Sequence, residues 1–200
     1  MMLISDGFGG VSSQVMLTVC DDPTGLASGD FDADGQADLV FVSTSQDAVY
    51  TLVNAGASPS EMVLSSGTAT SDGPVDVAVI RLAGDDEDDI IVACAGGGEV
   101  LPDGSLYGQL DIFEHAGGLF GSFGWQDSVQ VQGKPGQVKP GSVGSGKGRR
   151  RAASTLGGSN ELVVISEDTS GVWGEEQRLS VGNDPHDLIM QDLNADGLDD

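Results

Sequence analysis

Four prolines, Pro23, Pro74, Pro135 and Pro185, recur at intervals of 51, 61 and 50 residues, and the residues around them keep step. Val19, Val131 and Val181 each precede their proline by four places. Leu26, Val77, Val138 and Leu188 each follow theirs by three. A register held over four copies is the strongest constraint this chain places on its own fold. A repeating chain builds one supersecondary unit again and again and buries its core between neighbours.

A period of about 50 to 60 residues holds four short strands with their turns, the size of a propeller blade. The apolar runs "LVFVS" (39–43), "IIVAC" (90–94) and "LVVIS" (162–166) suit strands buried on both faces. Strands are expected near 24–29, 38–43, 47–53 and 61–65, and again near 75–80, 89–94, 109–114 and 127–131. No segment combines helical periodicity with caps. The predicted fold is therefore all-β, a β-propeller of four-stranded blades. The repeats run approximately 23–73, 74–134 and 135–184, with partial ones at 1–22 and 185–200, so the propeller reads as incomplete. Aligning the apolar runs puts Ser43, Cys94 and Ser166 in one place, where Cys94 reads as a small buried side chain. The same alignment places Ser142 against Asp30 and Glu161 against Asp38. The third repeat then has a loop at 143–160 and a missing or very short third strand.

The chain carries 32 acidic and 8 basic residues, a formal net charge of −24. Such a surface repels nucleic acid and anionic lipid. No run approaches the roughly 20 apolar residues of a membrane span, so no direct membrane insertion is expected. The opening "MMLISDGFGG" lacks the basic and long apolar regions of a secretory leader. Six of the eight basic residues fall between Lys134 and Arg151. They read as a flexible basic loop on an acidic body, or as a proteolysis site or a contact for an anionic glycan or acidic neighbour.

Chemistry concentrates in "GDFDADGQADLVFVS" (29–43) and "QDLNADGLDD" (191–200). A hard cation such as Ca²⁺ takes about six to eight oxygens, and a tight loop delivers them from alternate positions. In the first loop these are Asp30, Asp32, Asp34, the carbonyl of Gln36, and Asp38, with Gly35 at the sharp turn. In the second they are Asp192, Asn194, Asp196, the carbonyl of Leu198, and Asp200. The competing reading of each loop is a solvated acidic turn, since Asp and Gly are both common in turns. An EF-hand needs Glu at the twelfth position, where the first loop has Phe41 inside a β run. In "RLAGDDEDD" (81–89), Arg81 and Ala83 replace ligand positions and Asp86 the turn glycine. No calcium is expected there; the Arg81 guanidinium is expected to stand in for the cation by pairing with Asp85 or Asp89.

"CDDPTGLASGDFDADGQADLVFVS" and "VGNDPHDLIMQDLNADGLDD" resemble the FG-GAP and VCBS repeats found in the β-propeller of integrin α subunits and in many extracellular bacterial proteins. "DGFGG" (6–10) and "LDIFEHAGG" (110–118) resemble the turn and third-strand pieces of such repeats. The resemblance covers almost the whole chain and is weakest in the third repeat. It implies Ca²⁺ loops between the first and second strands of the blades, and a module for adhesion or ligand binding whose partner is a protein or glycan. An extracellular or cell-surface location follows from the resemblance and from the millimolar calcium that modest sites need.

Enzyme motifs are missing from the sequence: there is no G-x-S-x-G, H-E-x-x-H, C-x-x-C or P-loop. His115 and His186 have no motif partner, and the expectation is a non-enzyme. Two further readings stand beside the adhesion module. One is the accessory propeller of a secreted polysaccharide-degrading enzyme, with Trp125, Trp173 and Tyr107 as the few aromatics able to stack on sugars. The other is a purely structural repeat array.

Overall fold

The computed structural model describes residues 2–5, 7–54, 56, 62–82, 88–96, 104, 107–117, 122–141, 150–195 and 199. Among them every regular element is a strand. A hairpin of β1 (Met2–Ser5) and β2 (Val11–Val15) precedes three antiparallel sheets. The first sheet runs β3 (Pro23–Gly29), β4 (Asp38–Ser43), β5 (Ala48–Asn54) and β6 (Met62–Leu64), with β7 (Thr68–Ala69) also on β5. The second runs β8 (Pro74–Ile80), β9 (Asp89–Cys94), β10 (Tyr107–His115) and β11 (Phe123–Gln132). The third runs β12 (Lys134–Gly141), β13 (Arg151–Gly157), β14 (Glu161–Glu167) and β15 (Trp173–Ser180). All eight strands expected in the first two repeats form.

The sheets pack in series, and the middle one explains why its strands read as unbroken apolar runs. Along β9, Ile90, Val92 and Cys94 point into a core shared with Val40, Val42 and Phe31 of the first sheet. Ile91 and Ala93 point the other way, into a core shared with Val138, Leu156 and Val163 of the third. A strand between two cores has no solvent face on which to place polar residues. Each fully buried Val or Ile contributes about 1.5–3 kcal/mol.

Successive sheets meet through their first strands. β8 packs against β3 on one side and β12 on the other. Two places after its proline, Asp76 accepts a hydrogen bond from the Val138 amide at 3.0 Å; two places after the next, Gln137 accepts one from the Leu188 amide at 3.4 Å. The repeat period is thus also a period of bonds between units. In the first sheet the equivalent residue is Gly25, with φ of +47°. A Cβ there would lie 2.6 Å from Asp76 Cα, so backbone meets backbone where a side chain reaches across elsewhere. Each first strand has its register shift just after the proline, a residue with no N–H to give to a ladder.

The third repeat corrects the sequence alignment. β13 pairs with β12, which makes it the second strand, and β14 the third. Leu156 faces Pro135 as Ser43 faces Pro23 and Cys94 faces Pro74, so Ser166 does not share the place of Ser43 and Cys94. Arg151 faces Gly141 as Asp38 faces Gly29, so Glu161 is not the counterpart of Asp38. The supposed loop at 143–160 contains β13, and the third strand is present. The reason is compositional: β13 reads "RAASTLG", small and hydroxylated, yet Ala152 to Leu156 are all buried. Small residues suit a close approach, since a Cβ on Gly136 of β12 would lie 2.6 Å from Thr155 Oγ1. Arg150 pairs with Glu167 at 2.7 Å and Arg151 with Glu176 through two bonds, so part of the basic run is fixed on the sheet.

Candidate metal centre

The acidic loop of the first unit joins β3 to β4. Its second residue, Phe31, points inward while the aspartates beside it point out. Phe31 is fully buried and meets Phe123 of the second sheet edge to face, with ring centroids 5.5 Å apart. This apolar plug anchors the loop between two sheets, and its signal in the sequence is an apolar residue alternating with the aspartates. Leu82 fills the same loop position in the second unit and is also buried.

Asp30, Asp32 and Asp38 converge, each offering a carboxylate oxygen within 4.8 Å of the other two. Asp30 accepts bonds from the amides of Asp34 (3.1 Å) and Gly35 (3.0 Å), and Asp32 from the amide of Asp34 (3.2 Å). Ala33 and Gly35 are both left-handed, with φ of +56° and +81°, which curls the amides toward the carboxylates. Asp34 stands apart from the three-carboxylate group: its two oxygens accept from the Gln36 amide (2.7 Å) and the Gln36 side chain (2.8 Å).

Asp38 has a double role. It is fully buried; its Oδ2 accepts the Phe31 amide at 2.8 Å and its Oδ1 the Asn54 amide at 2.7 Å, tying the loop entrance to the end of β5. Asp89 repeats the arrangement, accepting from Leu82 at 2.5 Å and His115 at 2.7 Å. Burial pushes the Asp38 carboxyl above its ordinary range, and the Asp32 and Asp34 carboxylates push the same way, against the two amide bonds. Asp32 is raised first by burial, then by Asp34 and Asp30. Burial is thus the main cause at both residues, and the neighbouring carboxylates add to it.

The donor set fits a hard, oxygen-preferring ion. Two oxygens bound to one Ca²⁺ at about 2.6 Å can stand up to about 5.2 Å apart, which spans the spacing of these three. The cluster contains neither Cys nor His, the ligands zinc prefers. In the last unit, Asp192 and Asn194 lie in a stretch whose Ala195 has φ of +62°, matching Ala33. Asp196, Leu198 and Asp200 lie outside the described residues. Leu193, in the place of Phe31, is 74% exposed.

In the second unit a basic side chain stands at the first loop position. Among the described residues Arg81 pairs with Asp88, with Nε 2.7 Å from Oδ1; of the two expected partners, Asp85 lies outside the described residues, and the oxygens of Asp89 accept the amides of Leu82 and His115. Sequence reasoning passed over Asp88, which has no counterpart among the ligand positions.

The remaining candidates separate by burial. Trp173 is only 5% exposed and Trp125 54%, so Trp173 is a core residue and no part of a stacking platform. Cys94 is buried against Asp111, and burial pushes its thiol far up. Both cysteines are free. His186 is exposed beside Asp184 at 3.1 Å. Comparison with protein-family models and with curated proteins finds no match.

Proposed function

We propose that this chain is a calcium-binding β-propeller segment of the FG-GAP and VCBS kind that serves as an adhesion or ligand-binding module. The observation that carries the reading is the convergence of Asp30, Asp32 and Asp38 in a loop between first and second strands. Two features of the fold support it. Antiparallel sheets of four strands, the first with β7 as a fifth, follow one another with their first strands adjacent, the order expected of blades around an axis. The far face of the first sheet carries an apolar groove in which Leu17 and Val19, from the segment before β3, meet Leu39, Phe41 and Leu52. The role is non-enzymatic: the ion orders the loop, which otherwise holds like charges together at a cost of about 1 kcal/mol per pair at 4 Å in water. The partner is a protein or glycan outside the cell, where calcium is abundant enough for a modest site.

Calorimetric titration with Ca²⁺ tests the reading, alongside melting in calcium and in chelator. A dissociation constant of about 0.1 mM is expected. It corresponds to roughly 1.4 kcal/mol of stabilisation per site at 1 mM ion. Loss of that heat and that stabilisation in Asp32→Ala would assign it to this loop. A chain that neither releases heat nor gains stability with Ca²⁺ would leave the loop an ordinary acidic turn.

A further inference from the structure

The first ligand residue is gripped from outside its own unit. The Asp30 amide donates to Asp88 Oδ2 at 2.8 Å, and the Asp30 carbonyl accepts from the Asp88 amide at 3.1 Å. Both backbone hydrogen-bonding groups of Asp30 are thus satisfied by one residue 58 positions later, in the neighbouring unit. The other oxygen of Asp88 is held by Arg81. Asp88 sits tightly against the loop entrance: a Cβ on Gly29 would lie 3.0 Å from its Oδ2.

From this geometry we infer that Arg81 and Asp88 are positioning residues for the cation site of the first unit. The inference rests on the cation reading of Asp30, Asp32 and Asp38. Arg81 occupies the first position of its own loop, the place Asp30 holds in the first. Its guanidinium supplies a permanent positive charge that a metal-dependent loop must borrow from solution. The second loop therefore holds Asp88 in place without an ion, and Asp88 fixes the backbone from which the Asp30 carboxylate projects. A ligand held before the ion arrives loses less freedom on binding, so the ion binds more tightly. Linkage makes the effect reciprocal: an ion in the first loop strengthens the bonds between Asp30 and Asp88.

The sign of one substitution separates positioning from bulk electrostatics. Removing the Arg81 charge makes the neighbourhood more negative, so Coulomb attraction alone predicts tighter Ca²⁺ binding in Arg81→Ala. Positioning predicts the reverse, a dissociation constant raised about five- to tenfold, with recovery toward the original value in Arg81→Lys. Titration calorimetry on the unaltered chain and both variants reads this directly. Binding in the unaltered chain with equal or tighter binding in Arg81→Ala overturns the inference and leaves the cation reading intact. No binding in the unaltered chain overturns both. Hydrogen exchange on the unaltered chain provides a second readout if a variant fails to fold. Calcium should slow exchange at the Asp88 amide as well as at Asp30; protection confined to residues 30–38 would overturn the inference by itself.

Discussion

Asp32 and Asp38 stand six residues apart in one acidic loop and answer to different chemistry. Asp38 accepts two backbone amides in a fully buried position, so its carboxylate is structural with or without an ion. Its removal leaves the buried Phe31 amide and the part-buried Asn54 amide without their acceptor, at about 1–3 kcal/mol for a buried donor, partly offset by relief of a buried charge. Asp38→Ala should therefore lower stability in chelator by about 2 kcal/mol in urea unfolding. Asp32 accepts only the amide of Asp34, and Asp32→Ala should change stability in chelator by no more than about 0.5 kcal/mol while abolishing the gain from calcium. Equal costs for the two variants in chelator would contradict this division. Phe31→Ala should cost about 3–5 kcal/mol and also weaken calcium binding, because the plug that sets the loop between the sheets is gone. The spacing of the aspartates made the site legible in sequence. The plug has a signal too, since Phe31, Leu82 and Leu193 are apolar at the same loop position, but a single apolar residue in a loop does not by itself say which way it points. The grip of Asp88 on Asp30 had no local signal, because a contact across 58 residues is decided by how sheets pack.

Strands were legible where both faces are buried by large apolar side chains, as in β4 and β9, and illegible where the packing distance is short. β13 shows the difference. Its neighbour β12 approaches so closely at Gly136 that small and hydroxylated residues fill the space, and the run of branched side chains moves one strand onward to β14. Hydrophobicity therefore pointed to the wrong strand of the right sheet. Close approach also governs the contact between the second and third sheets. A Cβ on Gly108 of β10 would fall 2.0 Å from Pro135 Cδ and 2.7 Å from the Cys94 carbonyl oxygen. Gly108→Ala must push β10 away from β12, and overpacking of this kind costs about 1–3 kcal/mol. Gly174, in β15, has open space around its Cβ position and is the control. Thermal melts of the two alanine variants should differ, with Gly108→Ala the lower; similar melting points would mean that the sheets separate more easily than their packing implies.

Across the whole molecule, buried carboxylates and surplus negative charge act in the same direction. Burial raises the carboxyls of Asp38, Asp76 and Asp111 above their ordinary value of 3.8, although each accepts hydrogen bonds. Between the ordinary value and the raised one, the folded chain keeps protons that the unfolded chain has released. Stability in chelator must then fall as pH rises through that window. The net charge of −24 adds self-repulsion that grows as the remaining carboxylates ionise. On the proposed reading calcium should reverse part of this, because its ligands must be deprotonated and protons compete with it. The melting temperature in chelator should be higher near about pH 5 than near about pH 7.5, while the gain on adding calcium should grow over the same interval. The two melting curves should converge in acid and separate toward neutrality. A calcium gain that stays constant with pH would place the ion away from these carboxylates. A stability in chelator that rises with pH would mean that the amide bonds to Asp38, Asp76 and Asp111 outweigh their burial.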